Sequence, residues 1–204
     1  DGGMGPTGVQ VGLGTRVVAT PRYFQQGALM QTGSPLDIAI EGKGFLPVLR
    51  HDGEVMYTRN GSLKLDATGR VVNSDGLPLE PPISVPVDAT DIIIGSDGKL
   101  SVRQPGQEEP SELGQLQLVT FPNPGGLQAV GHNVYMRTAA SGEPQLGEPG
   151  SEGRGALMQN ALEGSNVEVV GEMIGMIRTQ RAYEINSKVI SAADEMLRKA
   201  TQMR

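Results

Sequence analysis

Residues 165–203 read SNVEVVGEMIGMIRTQRAYEINSKVISAADEMLRKATQM, and this stretch sets the architecture. Ser165 and Glu168 have the spacing of a capping box, in which each side chain satisfies an orphan backbone N–H at a helix start. Val169, Met176, Tyr183, Ile190 and Leu197 then recur every seven residues. Val170, Met173, Ile177, Val189, Ala193 and Met196 widen them into one apolar face. Opposite charges stand four apart elsewhere, Glu184 with Lys188, Asp194 with Arg198 and Glu195 with Lys199, each pair worth a few tenths of a kcal/mol. About 36 helical residues extend ~54 Å, and no second helix of similar length can be read in the chain. An amphipathic helix ordinarily packs on its own domain, but one this long overhangs a small domain. The stripe therefore needs helices from outside the chain.

Burying the five heptad residues contributes roughly 8–15 kcal/mol, against a backbone ordering cost of about 1–2 kcal/mol per residue. The helix is thus expected to fray in a free subunit and to order on assembly. Gly171 and Gly175 weaken a helix unless a neighbouring backbone comes close, so they are assigned to close helix packing. Their spacing resembles a transmembrane dimer motif, but Glu172, Arg178 and Arg181 are too near for a bilayer span, and membrane insertion is not expected.

Working upstream, residues 36–138 alternate short apolar segments with turn dipeptides, which predicts an antiparallel β-domain. Asp52-Gly53, Asn60-Gly61, Thr68-Gly69, Asp75-Gly76 and Asp97-Gly98 supply residues that tolerate positive φ. The strands expected between them are Phe45–Leu49, Val55–Thr58, Ser62–Leu65, Arg70–Asn73, Asp91–Gly95, Lys99–Arg103, Gly114–Phe121 and Asn133–Arg137. Pro-containing breaks at Glu80-Pro-Pro, Arg103-Gln-Pro-Gly and Phe121-Pro-Asn-Pro-Gly-Gly read as loops. Residues 1–35 read as an extended strand or hairpin arm, with Val9, Val11 and Leu13 alternating as contact residues and Arg22–Gln31 returning as a second strand. Residues 139–164, rich in Gly, Pro, Ser and Glu, read as a connection, and 165–204 as the assembly helix. The expected fold is mainly β: a small antiparallel sandwich or barrel-like domain, an extended arm and a coiled-coil-type terminal helix.

Composition narrows the chemistry. Twenty-nine glycines, 14 prolines and no Trp describe a turn-rich chain with a Val, Ile, Leu and Met core. A net charge of −6 argues against a nucleic-acid partner. The chain has no Cys, hence no disulfide and no thiol nucleophile. His51 and His132 are its two histidines, and no HExxH pair, GxSxG elbow or complete phosphate loop occurs. The Asp-Gly turns lack the alternating acidic ligands of a calcium loop. No catalytic residue, cofactor or metal is therefore expected. A contrasting possibility keeps the β-domain as a calcium- or glycan-binding module with the helix as an oligomerisation tail.

Several blocks carry a specific resemblance. Pro6-Thr-Gly-Val-Gln-Val-Gly-Leu-Gly-Thr15, Gln26-Gly-Ala-Leu-Met-Gln-Thr-Gly33 and Leu36-Asp-Ile-Ala-Ile-Glu-Gly-Lys-Gly-Phe45 are followed by Tyr57-Thr-Arg-Asn-Gly-Ser62, Ser165-Asn-Val167 and Gln180-Arg-Ala-Tyr-Glu-Ile-Asn-Ser-Lys188. In this order they resemble the bacterial flagellar rod and hook axial protein family, and the early Gly-rich strand resembles its distal-rod branch more than the proximal rod or hook. The resemblance implies a self-assembling, tubular homo-oligomer in the periplasm-spanning rod of the basal body, exported through the flagellar type III route without a cleaved signal. It implies a drive shaft carrying torque from motor to hook. The partners it implies are proximal rod proteins, the hook protein and the surrounding P-ring and L-ring proteins. Family members begin with a long helix that pairs with the C-terminal one, and this chain begins after that point, so a truncated form is expected.

Overall fold

The computed structural model describes residue 16 and residues 22–106 and 109–202. Val9, Val11 and Leu13 lie outside the described residues. In chain order the elements are β1 (Leu29–Gln31), β2 (Ile38–Glu41), β3 (Leu46–Leu49), β4 (Val55–Thr58), β5 (Lys64–Leu65), β6 (Val71–Val72), β7 (Asp91–Ile94) and β8 (Lys99–Arg103). They continue as β9 (Ser111–Gln115), β10 (Leu118–Thr120), β11 (Gln128–Gly131), β12 (Val134–Met136), β13 (Gln145–Gly147), β14 (Ala156–Gln159), β15 (Ala161–Glu163) and α1 (Val169–Gln202). Every strand pairing among the described residues is antiparallel, and the strands form several small sheets rather than a closed barrel.

The body is layered around strands that are buried on both faces. Side chains on a strand point alternately to opposite sides. Leu46, Met56 and Leu118 accordingly enter a large aliphatic core with Ile38, Ile40, Val48, Val71, Leu79, Leu100 and Val102. Phe45, Tyr57 and Val119, their chain neighbours, enter a second cluster with Phe121 and Leu127. That double burial is why β3 and β4 read as continuous apolar runs. The chain has three Phe, and all of them lie in or against the second cluster. Phe24 meets Phe45 edge-on at 5.3 Å, and Tyr57 meets Phe121 at 4.8 Å. The aromatics therefore fasten the segment before β1 onto the body.

Three expectations need correction. Residues 139–164 do not form a plain connection: β13 pairs with β10, β14 with β2 and β15 with β1. Their partners are remote in sequence, so no local hairpin signal marks them. Gly114–Phe121 is two strands in different sheets, β9 beside β8 and β10 beside β13, with buried Leu116 between them. Asn60-Gly61 is not a positive-φ turn. A Cβ on Gly61 would collide with the Ile38 carbonyl, and Gly61 O accepts the Ile38 N–H at 3.0 Å, so the glycine is required by close backbone approach. The true two-residue hairpin turn is His132-Asn133 between β11 and β12, with φ of 52° and 59°.

Candidate functional site

α1 is one continuous helix of 34 residues, and none of them is buried. Val169, Met173, Met176, Tyr183, Ile190 and Leu197 are between 60% and 77% exposed. The structure places all six on α1 and brings none of them against the β-body. Gly171 and Gly175 are exposed as well, and a Cβ on Gly175 would meet nothing within 4 Å. Of the expected charge pairs, Glu195 with Lys199 closes at 3.4 Å, and the other two are absent among the described residues. Where the composition predicts fraying in a free subunit, the structure carries the helix continuously over all 34 residues. The 18-residue windows of described helices are nowhere long and apolar enough to cross a membrane.

The helix starts later than the capping box predicts. Its first backbone bond runs from Glu172 N–H to Glu168 O at 3.0 Å, and Ser165 Oγ instead accepts the Val167 N–H at 3.2 Å. The competing force is Asn166, whose Nδ2 donates to Tyr23 O at 3.1 Å and Gln25 O at 3.0 Å. That grip keeps residues 165–168 out of the helix.

The root of α1 holds a constellation that the sequence pattern does not reveal. Arg59 leaves the end of β4 and donates from Nε to Glu163 Oε2 at 2.6 Å, with side chains only 14% and 10% exposed. Its Nη1 donates to Gly44 O at 3.2 Å and its Nη2 to Gly42 O at 2.9 Å. Glu163 uses its other oxygen to accept the Gly27 N–H at 2.9 Å. Gln26 donates to Ile40 O and accepts from Gly42 N–H. Arg59 lies inside the Tyr57–Ser62 block, which is the one signal sequence offered. Nothing in the chain's pattern points from 59 to 163.

The titratable turn residues serve the fold. The Thr68 hydroxyl, the backbone N–H groups of Arg70 and Thr68 and the Arg70 guanidinium hold the Asp66 carboxyl well below its usual range. Burial pushes the Tyr57 phenol up. His132 Nδ1 lies 2.9 Å from Asp75 Oδ1. Among the described residues, no group of three or more His, Cys, Asp or Glu could hold a metal ion.

Two family models match this chain. Residues 39–102 match the flagellar hook protein FlgE/F/G D1 domain, and residues 158–203 match the flagellar basal body rod FlgEFG protein C-terminal model. The rod protein FlgG of Caulobacter vibrioides is 47% identical over 204 residues, covering all of this chain and 78% of that protein. The chain belongs to the flagellar basal-body rod protein family. FlgG of Borreliella burgdorferi is also 47% identical, over 94% of this chain and 73% of its own length. The rod protein FlgF of Escherichia coli is 35% identical over 87% of this chain and 71% of that protein. The chain is thus a structural subunit of the flagellar rod. Arg59 lies in the first matched segment and Glu163 in the second, so the partly buried ion pair joins the two parts by which the family is recognised.

Proposed function

We propose that this rod subunit is of the distal-rod type and that it polymerises through α1 into a rigid tube that passes torque from motor to hook. The observation that carries this reading is a 34-residue helix whose apolar stripe is covered by nothing in the described chain. Val169, Met173, Met176, Tyr183, Ile190 and Leu197 form the buried seam between copies, and Gly171 and Gly175 let backbones come close. Val9, Val11 and Leu13 brace neighbouring subunits, and the β-body forms the outer wall facing the P-ring and L-ring proteins. Proximal rod and hook proteins meet the two ends. The role is mechanical and requires no catalysis. The higher identity to FlgG than to FlgF over more of the chain favours the distal assignment.

The test is to label the subunit in isolated basal bodies and image them by electron microscopy. Label along the rod between the rings, at its outer portion, is expected. Label confined to the region beyond the outer ring would transfer the reading to the hook, and label only at the inner end to the proximal rod.

A further inference from the structure

We infer that Arg59, Glu163 and Asn166 form a latch that sets the direction in which α1 leaves the β-body. No residue of α1 is buried, so packing on the body does not aim the helix. What connects them is a narrow ribbon in which β1 pairs with β15, Leu29 opposite Glu163, followed by residues 164–168, which belong to neither strand nor helix. A ribbon of two short strands bends and twists readily unless something fixes it.

Three ties fix it. Arg59 reaches out of the body and holds Glu163, the last residue of β15, while its other nitrogens hold the Gly42 and Gly44 carbonyls of the loop after β2. Glu163 passes the grip to Gly27, ahead of β1 on the opposite limb of the ribbon. Asn166 spans two carbonyls of the same limb, Tyr23 and Gln25, immediately before the helix. Beside these contacts lies an open cleft of about 460 Å³, with Tyr23, Phe24, Tyr135, Glu163 and Asn166 in its lining. Phe24 anchors the limb before β1 to the body through Phe45 and Tyr135, but among the described residues no side chain of α1 itself is packed on that side, so the polar contacts tie the helix root to the anchored limb. Arg suits the role because its planar fork reaches several acceptors at once, which Lys cannot do.

The lack of any Cys makes the test clean. Cysteines are introduced in the monomeric chain at Val87, a fully exposed body residue, and at Arg178 on α1, and nitroxide labels report their separation by pulsed electron resonance. The parent gives one narrow distance distribution. Arg59→Gln and Asn166→Ala each broaden it roughly twofold, as local opening replaces a fixed geometry, while the β-body still melts cooperatively. The reversed pair Arg59→Glu with Glu163→Arg recovers part of the lost sharpness. Unchanged widths in both single variants would overturn the latch. Loss of the body's cooperative melt in Arg59→Gln, with Asn166→Ala unchanged, would overturn it too, since the pair would then be a strut of the core. The measurement is made on monomer, so it stands or falls independently of whether the chain polymerises.

Discussion

Met176→Asp separates assembly from folding. In the isolated subunit Met176 is 63% exposed and lies on a helix with no buried residue, so replacing it removes no core contact. The cost is confined to helix propensity, at most about 0.7 kcal/mol, and it falls on α1 rather than on the β-body. The body's melting temperature should move by less than about 3 °C, given roughly 2–4 °C per kcal/mol for a domain of this size. In a polymer whose seam buries the stripe, the same change loses about 1.5–3 kcal/mol of side-chain burial and adds a desolvated carboxylate worth several kcal/mol. A total near 4 kcal/mol or more raises the concentration needed for polymerisation by roughly a thousandfold, at 1.4 kcal/mol per tenfold. A thermal melt of monomer gives the first quantity and sedimentation of polymer against protein concentration the second. Lys199→Ala, which breaks an exposed pair, is the control and should leave both nearly unchanged. Polymer forming at the original concentration would refute the seam. A large fall in the monomer's melting temperature would refute the independence of body and helix.

Other expectations concern the body. Gly61→Ala forces backbone apart at the Ile38 crossing and should cost more than about 3 kcal/mol, combining overpacking with a weakened hydrogen bond. Gly53→Ala, at φ 86° with open space around it, should cost only about 1–2 kcal/mol. Equal melting temperatures for the two variants would show that conformation, not contact, decides. Gln159→Ala leaves the Ile94 N–H without its acceptor and the Ile92 and Pro35 carbonyls without their donor. A loss of about 1–3 kcal/mol in urea unfolding is expected, and no loss would mean that water replaces the amide fully. Asp66, whose folded pKa is depressed, contributes stability that is present above its usual value of 3.8 and fades as pH falls below it. Asp66→Ala should therefore destabilise at pH 7 and differ less from the parent at pH 3. A difference that stays constant between those pH values would exclude the carboxylate as its source.

Local signals were legible where structure is local. Val55–Thr58 and Lys99–Arg103 read correctly as strands because each stands beside an Asp-Gly turn that aims it at a near neighbour. The helix was legible because its period is internal to it. The strands at 145–147, 156–159 and 161–163 were not, since the first sits in a Gly- and Pro-rich stretch, the other two are short, and only partners far along the chain make them strands. The stripe itself could be read, but the latch at its root could not, because an Arg and a Glu 104 residues apart announce nothing until β1 and β15 bring them together. The capping box failed for the same reason: Asn166 found a tertiary partner that outcompeted the local one.

The late pairings also order the assembly of the subunit. Hairpins such as β3–β4 and β7–β8 can form as soon as their own residues are available. The β2–β14 and β1–β15 ladders join segments more than a hundred residues apart, Ile40 with Leu157 and Gln31 with Ala161. They cannot close until almost all of the chain before α1 is present, and closing them brings Glu163 to Arg59. The latch is therefore completed only on a finished body, and α1 acquires a fixed direction only afterwards. A subunit caught before that step would carry its apolar stripe on a freely swinging arm, unable to present the helix in the single orientation that a regular tube requires.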